Sequence, residues 1–393
     1  MVSAVIIDAV RSPMARGKPG GGLSSLHPAD LLGQVLTALI DRSGIDPATV
    51  DDLLVGCVGQ NGEQSATIGR QAWLGAGYPV SVPSVTVERK CGSGQQAVDF
   101  AVQGVQAGAY DIVIAAGVES MSRVPMGSAR MGADPFGAGV RERFGELVPQ
   151  GVSAELVAQK WSLSREQLDE FSVGSHHRAA AAVNEGLFKN EIVPIRTAEG
   201  QWFSADETIR PLSTTHALAQ LRSAFAKEPY TTRFPGTDWK ITAGNSSQIT
   251  DGASALLVMS ESRAAQLGLR PRARIVASSV IGDNPLLMLT GPIPATHKVL
   301  ARTGLRIDRM DAIEVNEAFA PVPLAWQAEF RADPLRLNPR GGAIALGHPL
   351  GASGCRLMTT LINHLEQTDG HYGLQTMCEA GGMGNAVVIE RLS

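Results

Sequence analysis

The chain has 393 residues, 44% apolar, 18% charged and 5% aromatic, with a formal net charge of −4. That length exceeds one ordinary hydrophobic core and predicts two or three packed units, while the slight acidity offers no broad surface for a nucleic acid. Four cysteines (Cys57, Cys91, Cys355, Cys378) lie far apart without metal-ligand spacing and no apolar run reaches membrane length, which argues against a disulfide frame, a metal site and a membrane span.

With no charged-then-apolar leader, and Arg391-Leu392-Ser393 in place of a peroxisomal tripeptide, the expectation is a soluble cytoplasmic protein. The first predicted strand is Ala4 to Asp8, followed by a Gly- and Ser-rich loop to about Leu26. A helix then has Pro28 in its first turn, apolar pairs at Leu31/Leu32, Val35/Leu36 and Leu39/Ile40, and Gly44 as its stop. A strand over Asp52 to Val58 comes next. Val80 to Val87 is an extended, β-branched run. After the bend Cys91-Gly92-Ser93-Gly94, a helix is set by Ala97, Val98, Ala101, Val102 and Val105.

Cys91 therefore stands just ahead of a helix N-terminus, where backbone N–H groups and the helix dipole favour thiolate. Gly92 and Gly94 leave room beside the sulfur. Two readings fit this stretch by itself, a nucleophile and a small buried cysteine plugging a tight turn. A strand at Asp111 to Ala116 follows. Glu119 to Thr242 is a long insertion without counterpart elsewhere in the chain, with a helix N-terminus at Ser164-Arg-Glu-Gln167 and with Trp161, Trp202 and Trp239. The first unit closes with the apolar run Ala255 to Met259. The rest of the chain reads as a strand at Ala273 to Ser279, a helix from Pro294 to Gly304 and a strand at Ala312 to Val315. The turn Gly347 to Gly351, a helix to about Leu365 and strands at Leu374 to Cys378 and Ala386 to Ile389 complete it.

The second half repeats the first at an offset of 260 residues. Arg42, Gly44 and Asp51 fall on Arg302, Gly304 and Asp311, and Gly92-Ser93-Gly94 falls on Ala352-Ser353-Gly354. Two matches at one offset argue for a duplicated α/β unit, each copy a mainly parallel, helix-covered sheet. If the copies pack about a pseudo-twofold axis, the Cys91 bend meets the turn Gly347-His348-Pro349-Leu350-Gly351. His348 would then activate the thiol, although a turn-capping histidine is the alternative. Cys378 precedes Glu379-Ala-Gly-Gly-Met-Gly384, where converging N–H groups suit an oxyanion and a second thiol could shuttle a proton. Asn316 follows a strand and could hold a water or a carbonyl oxygen. Cys57 and Cys355 read as packing residues. A Rossmann dinucleotide site is disfavoured, because no G-x-G-x-x-G follows the first strand.

Six segments together resemble the thiolases almost end to end. They are C-G-S-G at Cys91, G-V-E-S-M-S-R-V-P-M at Gly117 to Met126, T-A-G-N-S-S at Thr242 to Ser247, N-E-A-F-A at Asn316 to Ala320, G-G-A-I-A-L-G-H-P-L-G-A-S-G at Gly341 to Gly354, and C-E-A-G-G-M-G at Cys378 to Gly384. The resemblance implies a duplicated five-layer αβαβα fold with an inserted loop domain. Its parts would be residues 1–118 plus 243–270, the insertion 119–242, and 271–393. It implies acyl transfer involving acyl-CoA and coenzyme A as substrates, no tightly bound cofactor and no metal, in a homodimer or homotetramer.

By the same resemblance Cys91 is acylated, His348 is its base, Cys378 is the second acid/base and Asn316 holds a water. The backbone N–H groups of Cys91 and Ala380 form an oxyanion hole, with Ala380 standing where relatives have glycine. Arg222, Ser247 and Phe319 are expected on coenzyme A, and Pro149 and Gln150 in the acyl pocket, where this chain departs from the family pattern. Gln248 and Thr250 also depart, away from the expected chemistry. M-S-R-V-P-M leans to the degradative thiolases and C-G-S-G occurs on the biosynthetic side. The expected reaction is therefore cleavage of 3-oxoacyl-CoA in fatty-acid or related β-oxidation. Condensation of two acetyl-CoA is the alternative, and a non-catalytic acyl-CoA-binding subunit a remote one.

Overall fold

In the computed structural model, which describes residues 2–392, the apolar pairs of the first helix become the buried stripe of Pro28–Ser43. The His27 ring accepts the Ala29 N–H at its start. Gly44, at φ 67°, stops it by returning its N–H to the Ile40 carbonyl. The twelve strands are β1 (Ala4–Arg11), β2 (Ala15–Arg16), β3 (Asp52–Gly56), β4 (Ser84–Val87), β5 (Ile112–Ser120), β6 (Ile195–Arg196), β7 (Trp202–Phe203), β8 (Thr250–Ser260), β9 (Ala273–Gly282), β10 (Ala312–Val315), β11 (Tyr372–Glu379) and β12 (Met383–Arg391).

The first unit runs β4-β3-β5-β8-β1 and the second β10-β11-β12-β9; the single pair Ile6–Ala273 joins them into one path. Apolar cores fill three interlayer spaces. One lies between the first sheet and the helices Pro28–Ser43 and Ile68–Gly75. The middle one surrounds the helices Ser93–Gln106 and Ser353–Thr368, clasped between both sheets. The third packs Pro292–Thr303 and Pro321–Phe330 on the second sheet, and takes in Ala154, Val157 and Leu163 of the insertion. The order helix, sheet, helix, sheet, helix is the five-layer arrangement expected from sequence.

The offset recurs in detail. Asp51 Oδ2 accepts the N–H groups of Asp111 and Ile112, and Asp311 Oδ2 those of His371 and Tyr372. Gly44 and Gly304 stop their helices at φ 67° and 69°. One position breaks the pattern: 260 residues after β4 the chain forms the short helix Ala343–Leu346, whose Ile344 N–H is held by the Glu317 carboxylate.

The sheets are mixed rather than mainly parallel, a correction to the sequence expectation. β3 pairs parallel with β4 and β5, and β10 with β11. β8, returning from the insertion, lies antiparallel between β5 and β1. β11 and β12 form a hairpin around Gly381 and Gly382, both at positive φ, which can only close antiparallel.

The two halves touch backbone to backbone. A Cβ on Gly94 would lie 2.6 Å from the Gly351 carbonyl oxygen, and one on Gly351 would lie 2.5 Å from Gly56 O and 2.7 Å from Val118 O. The Glu119 carboxylate fastens the contact by accepting the N–H groups of Val58, Gly59 and Gly351. Backbone atoms cannot rotate aside, so Gly351→Ala should destabilise the protein by roughly 1–3 kcal/mol. Urea unfolding reads this as a lowered midpoint, and an unmoved midpoint contradicts the packing described.

Candidate active site

Cys91 lies in the bend after β4, 5% exposed. The Ser93 hydroxyl ties that bend, accepting the Arg89 N–H and donating to the Lys90 carbonyl. Two backbone N–H groups converge on the Cys91 sulfur, its own and that of Ala380. Gly92 has no room for a side chain, because a Cβ there would meet the Glu379 carboxylate. Cys378 is the last residue but one of β11, buried, close enough to Cys91 for the two thiols to influence one another. Leu350 and Leu357, from the His348 turn and the helix after it, pack on Cys91.

His348 is 4% exposed. Its backbone N–H donates to Thr250 Oγ1 (3.0 Å) and to the Gln248 carbonyl (3.1 Å). Its ring Nδ1 lies 2.6 Å from Ser353 Oγ, and that hydroxyl donates its one hydrogen to the Pro349 carbonyl at 2.8 Å. Ser353 can therefore only accept from Nδ1–H, which assigns the neutral ring its tautomer and makes Nε2 the acceptor, here for the Asn316 amide N–H. Nε2 is 3.3 Å from Asn316 Nδ2. Asn316 is buried and its Oδ1 has no partner among the described residues.

The electrostatics correct one expectation. Burial is the largest influence on Cys91 and, with Glu379, pushes the thiol up to about 12 against the two N–H groups. Helix-tip stabilisation does not produce a resting thiolate. Burial, and then the Arg356 charge, lowers His348 to about 3. At neutral pH the thiol and the imidazole are therefore both uncharged. Burial and then Cys91 hold the Cys378 thiol well above its ordinary value. Glu379, whose Oε1 accepts from Asn385 Nδ2, is raised to about 7 by burial.

A second group of predicted residues gathers around Phe225 and Phe319. The Ser247 N–H donates to the Ala318 carbonyl beside Phe319, and the Phe225 ring stands edge-on to Phe319 with centroids 6.3 Å apart. Gly151, next to Gln150, lies against the Phe225 ring. Pro149 caps the helix Gln150–Lys160 and is exposed, as is Arg222, three residues before Phe225. Cys57 and Cys355 are fully buried, and Cys355 donates to the Gly94 carbonyl.

Four residues escaped the sequence reading. Gln248 and Thr250 were expected to lie away from the chemistry, yet they anchor the His348 backbone; their roles depend on a contact nearly 100 residues away in sequence. Ser353 and Glu119 stand inside segments quoted above, but nothing local in those segments marks either as a tether. The 260-residue repeat, which places Ser353 on Ser93, was the available signal for the first. No group of three or more His, Cys, Asp or Glu among the described residues could hold a metal ion, and no helix is long and apolar enough to cross a membrane.

Residues 4–262 match the thiolase N-terminal domain and residues 269–391 the thiolase C-terminal domain. The chain is 47% identical to a steroid 3-ketoacyl-CoA thiolase of Mycobacterium tuberculosis, over all of this chain and 95% of that protein. It is 44% identical to a 3-ketoacyl-CoA thiolase of Vibrio cholerae, over the whole of both. The acetyl-CoA acetyltransferase of Bacillus anthracis superposes with a TM-score of 0.89 at 35% identity, covering 100% of this chain and 99% of that one. The chain belongs to the thiolase family.

Proposed function

We propose that the protein cleaves 3-oxoacyl-CoA with coenzyme A, giving acetyl-CoA and a shortened acyl-CoA through an acyl-enzyme on Cys91. His348 Nε2 takes the Cys91 proton as the sulfur attacks the keto carbon. The N–H groups of Cys91 and Ala380 hold the resulting oxyanion, each lowering the barrier by about 2.7–4 kcal/mol. The bond between C2 and C3 breaks, and the acetyl-CoA enolate takes a proton from Cys378. Its oxygen is held by the now protonated His348 and by a water on Asn316. Coenzyme A thiol then gives its proton to Cys378 and attacks the acyl group, while Cys91 leaves and recovers its proton from His348. The convergence of two N–H groups on the Cys91 sulfur, beside a second buried thiol, supports this reading most strongly.

Ser247, Phe319 and Phe225 would flank the pantetheine, with Arg222 on the nucleotide end. Arg222→Ala should raise KM for coenzyme A about tenfold, equivalent to ~1.4 kcal/mol, with kcat little changed. Steady-state kinetics check this, and a fall in kcat alone contradicts it. Pro149 and Gln150 would shape the acyl pocket, within an insertion (119–242) that covers the site between residues 1–118 plus 243–270 and residues 271–393. The unpaired outer edge of β4, with Val80 and Val85 exposed, suits assembly as a homodimer or homotetramer. Four free cysteines suit a reducing, cytoplasmic setting.

Condensation of two acetyl-CoA is the second reading, favoured by C-G-S-G and by the likeness to the acetyltransferase. The two thiolase relatives at higher identity favour cleavage. Thiolysis rates over a series of 3-oxoacyl-CoA chain lengths separate the two. Preference for long or bulky acyl groups supports cleavage in degradation, and turnover confined to acetoacetyl-CoA refutes it.

A further inference from the structure

One side chain joins three separate stretches of the chain beside His348, and the mechanism above leaves it unused. Gln248 Nε2 donates to the Thr208 carbonyl in the insertion (2.8 Å) and to the Ile344 carbonyl in the short helix Ala343–Leu346 (2.9 Å), with the Ala345 carbonyl at 3.4 Å. Three carbonyl oxygens around one atom require an amide nitrogen there, which fixes the orientation of the amide. Ile344 and Ala345 stand in the last turn of their helix, where carbonyls lack a partner within the helix. The backbone of the same residue grips the other side of the bend. The Gln248 carbonyl accepts the His348 N–H at 3.1 Å and the Thr250 hydroxyl at 2.7 Å. Having given its hydrogen, Thr250 Oγ1 can only accept from the His348 N–H, at 3.0 Å. Gly347, between the two grips, has φ 87°, and a Cβ there would run into the Thr250 side chain.

Both supports of this clamp are themselves anchored. Thr250, fully buried, opens β8 and pairs with Arg16 of β2. Thr208 is buried, and the residues before it are tied to the start of the chain. Asp206 accepts from the Arg11 guanidinium and the Met14 N–H, and Glu207 accepts the N–H groups of Arg16 and Gly22. On the other side, the Arg210 N–H donates to His176 Nδ1 in the helix Arg165–Asn184. We propose that Gln248 and Thr250 are positioning residues for His348: Gln248 braces the turn between the insertion and the helix Ala343–Leu346, and Thr250 closes it on β8. The two departures from the family pattern at these positions are then one device, since a small residue at 248 would reach neither Thr208 nor Ile344. Neither side chain needs to touch substrate. Each acts by keeping the imidazole in one place, where a displacement of about 1 Å can cost about 10²-fold in rate.

This inference rests on His348 being the base for Cys91, and a double-substitution cycle separates the two. Acylation of Cys91 is followed by rapid mixing with a 3-oxoacyl-CoA in the absence of free coenzyme A. Gln248→Met, of similar length but without a donor, should lower the maximal acylation rate about 10- to 100-fold and leave the half-saturating substrate concentration within about twofold. Thr250→Val should act in the same direction, and Thr250→Ser, which restores the hydroxyl, should recover most of the rate. Added to His348→Ala, either Gln248→Met or Thr250→Val should cost less than about twofold further, because the group they place is gone. An equal loss with and without His348 means a purely structural role and overturns the proposal. So does an unchanged rate in both single variants, or a raised half-saturating concentration at an unchanged maximal rate. If Gln248→Met does not fold, Thr250→Val and Thr250→Ser carry the decision. Full acylation by His348→Ala would instead refute the base assignment, and this inference would fall with it.

Discussion

Cys91→Ala is expected to abolish thiolysis, with a loss of at least about 10⁴-fold in kcat. The substitution removes one sulfur from a pocket already lined by Leu350, Leu357 and Met377, so the fold should survive. An unchanged thermal midpoint would show that the loss is chemical. No other thiol can take over. Cys378 is buried on β11 away from any helix N-terminus, and Cys57 and Cys355 are sealed in the core. A variant retaining more than about a hundredth of the activity would contradict an acyl-enzyme at this position.

The second large effect concerns the base and its pH dependence. With the thiol pushed up to about 12, only a minute fraction is ionised at neutral pH unless a base removes the proton. His348→Ala should slow acylation by about 10²–10⁴-fold at pH 7. A pH dependence should appear with it. The unmodified protein should show a flat acylation rate between pH 7 and 9, because a ring whose value is about 3 is already neutral there. The variant should gain about tenfold per pH unit, since it reacts only through thiolate formed by the solvent. Rapid-mixing measurement of acylation across that range decides the matter, and a flat profile in the variant contradicts the role.

The duplicated frame was legible because its markers are local. Gly44 and Gly304 stop helices, Asp51 and Asp311 grip the next strand, and Gly92-Ser93-Gly94 opens a helix as Ala352-Ser353-Gly354 does. Strand direction was not legible. Whether β8 runs parallel or antiparallel to β5 depends on where the 119–242 insertion returns the chain, and no local propensity records that. The positions of Cys91, His348 and Cys378 on bends and strand ends followed from glycine placement. Their protonation states did not: the helix tip argued for thiolate, and burial outweighed it. Gln248 and Thr250 illustrate the same limit, since they act by accepting one backbone N–H from a turn remote in sequence.

The most direct measurement is the mass of the protein mixed with a 3-oxoacyl-CoA in the absence of free coenzyme A. The peptide containing Cys91 should gain the shortened acyl group and lose it again when coenzyme A is added. Acyl label confined to the Cys378 peptide, or no label while thiolysis proceeds, would contradict the account.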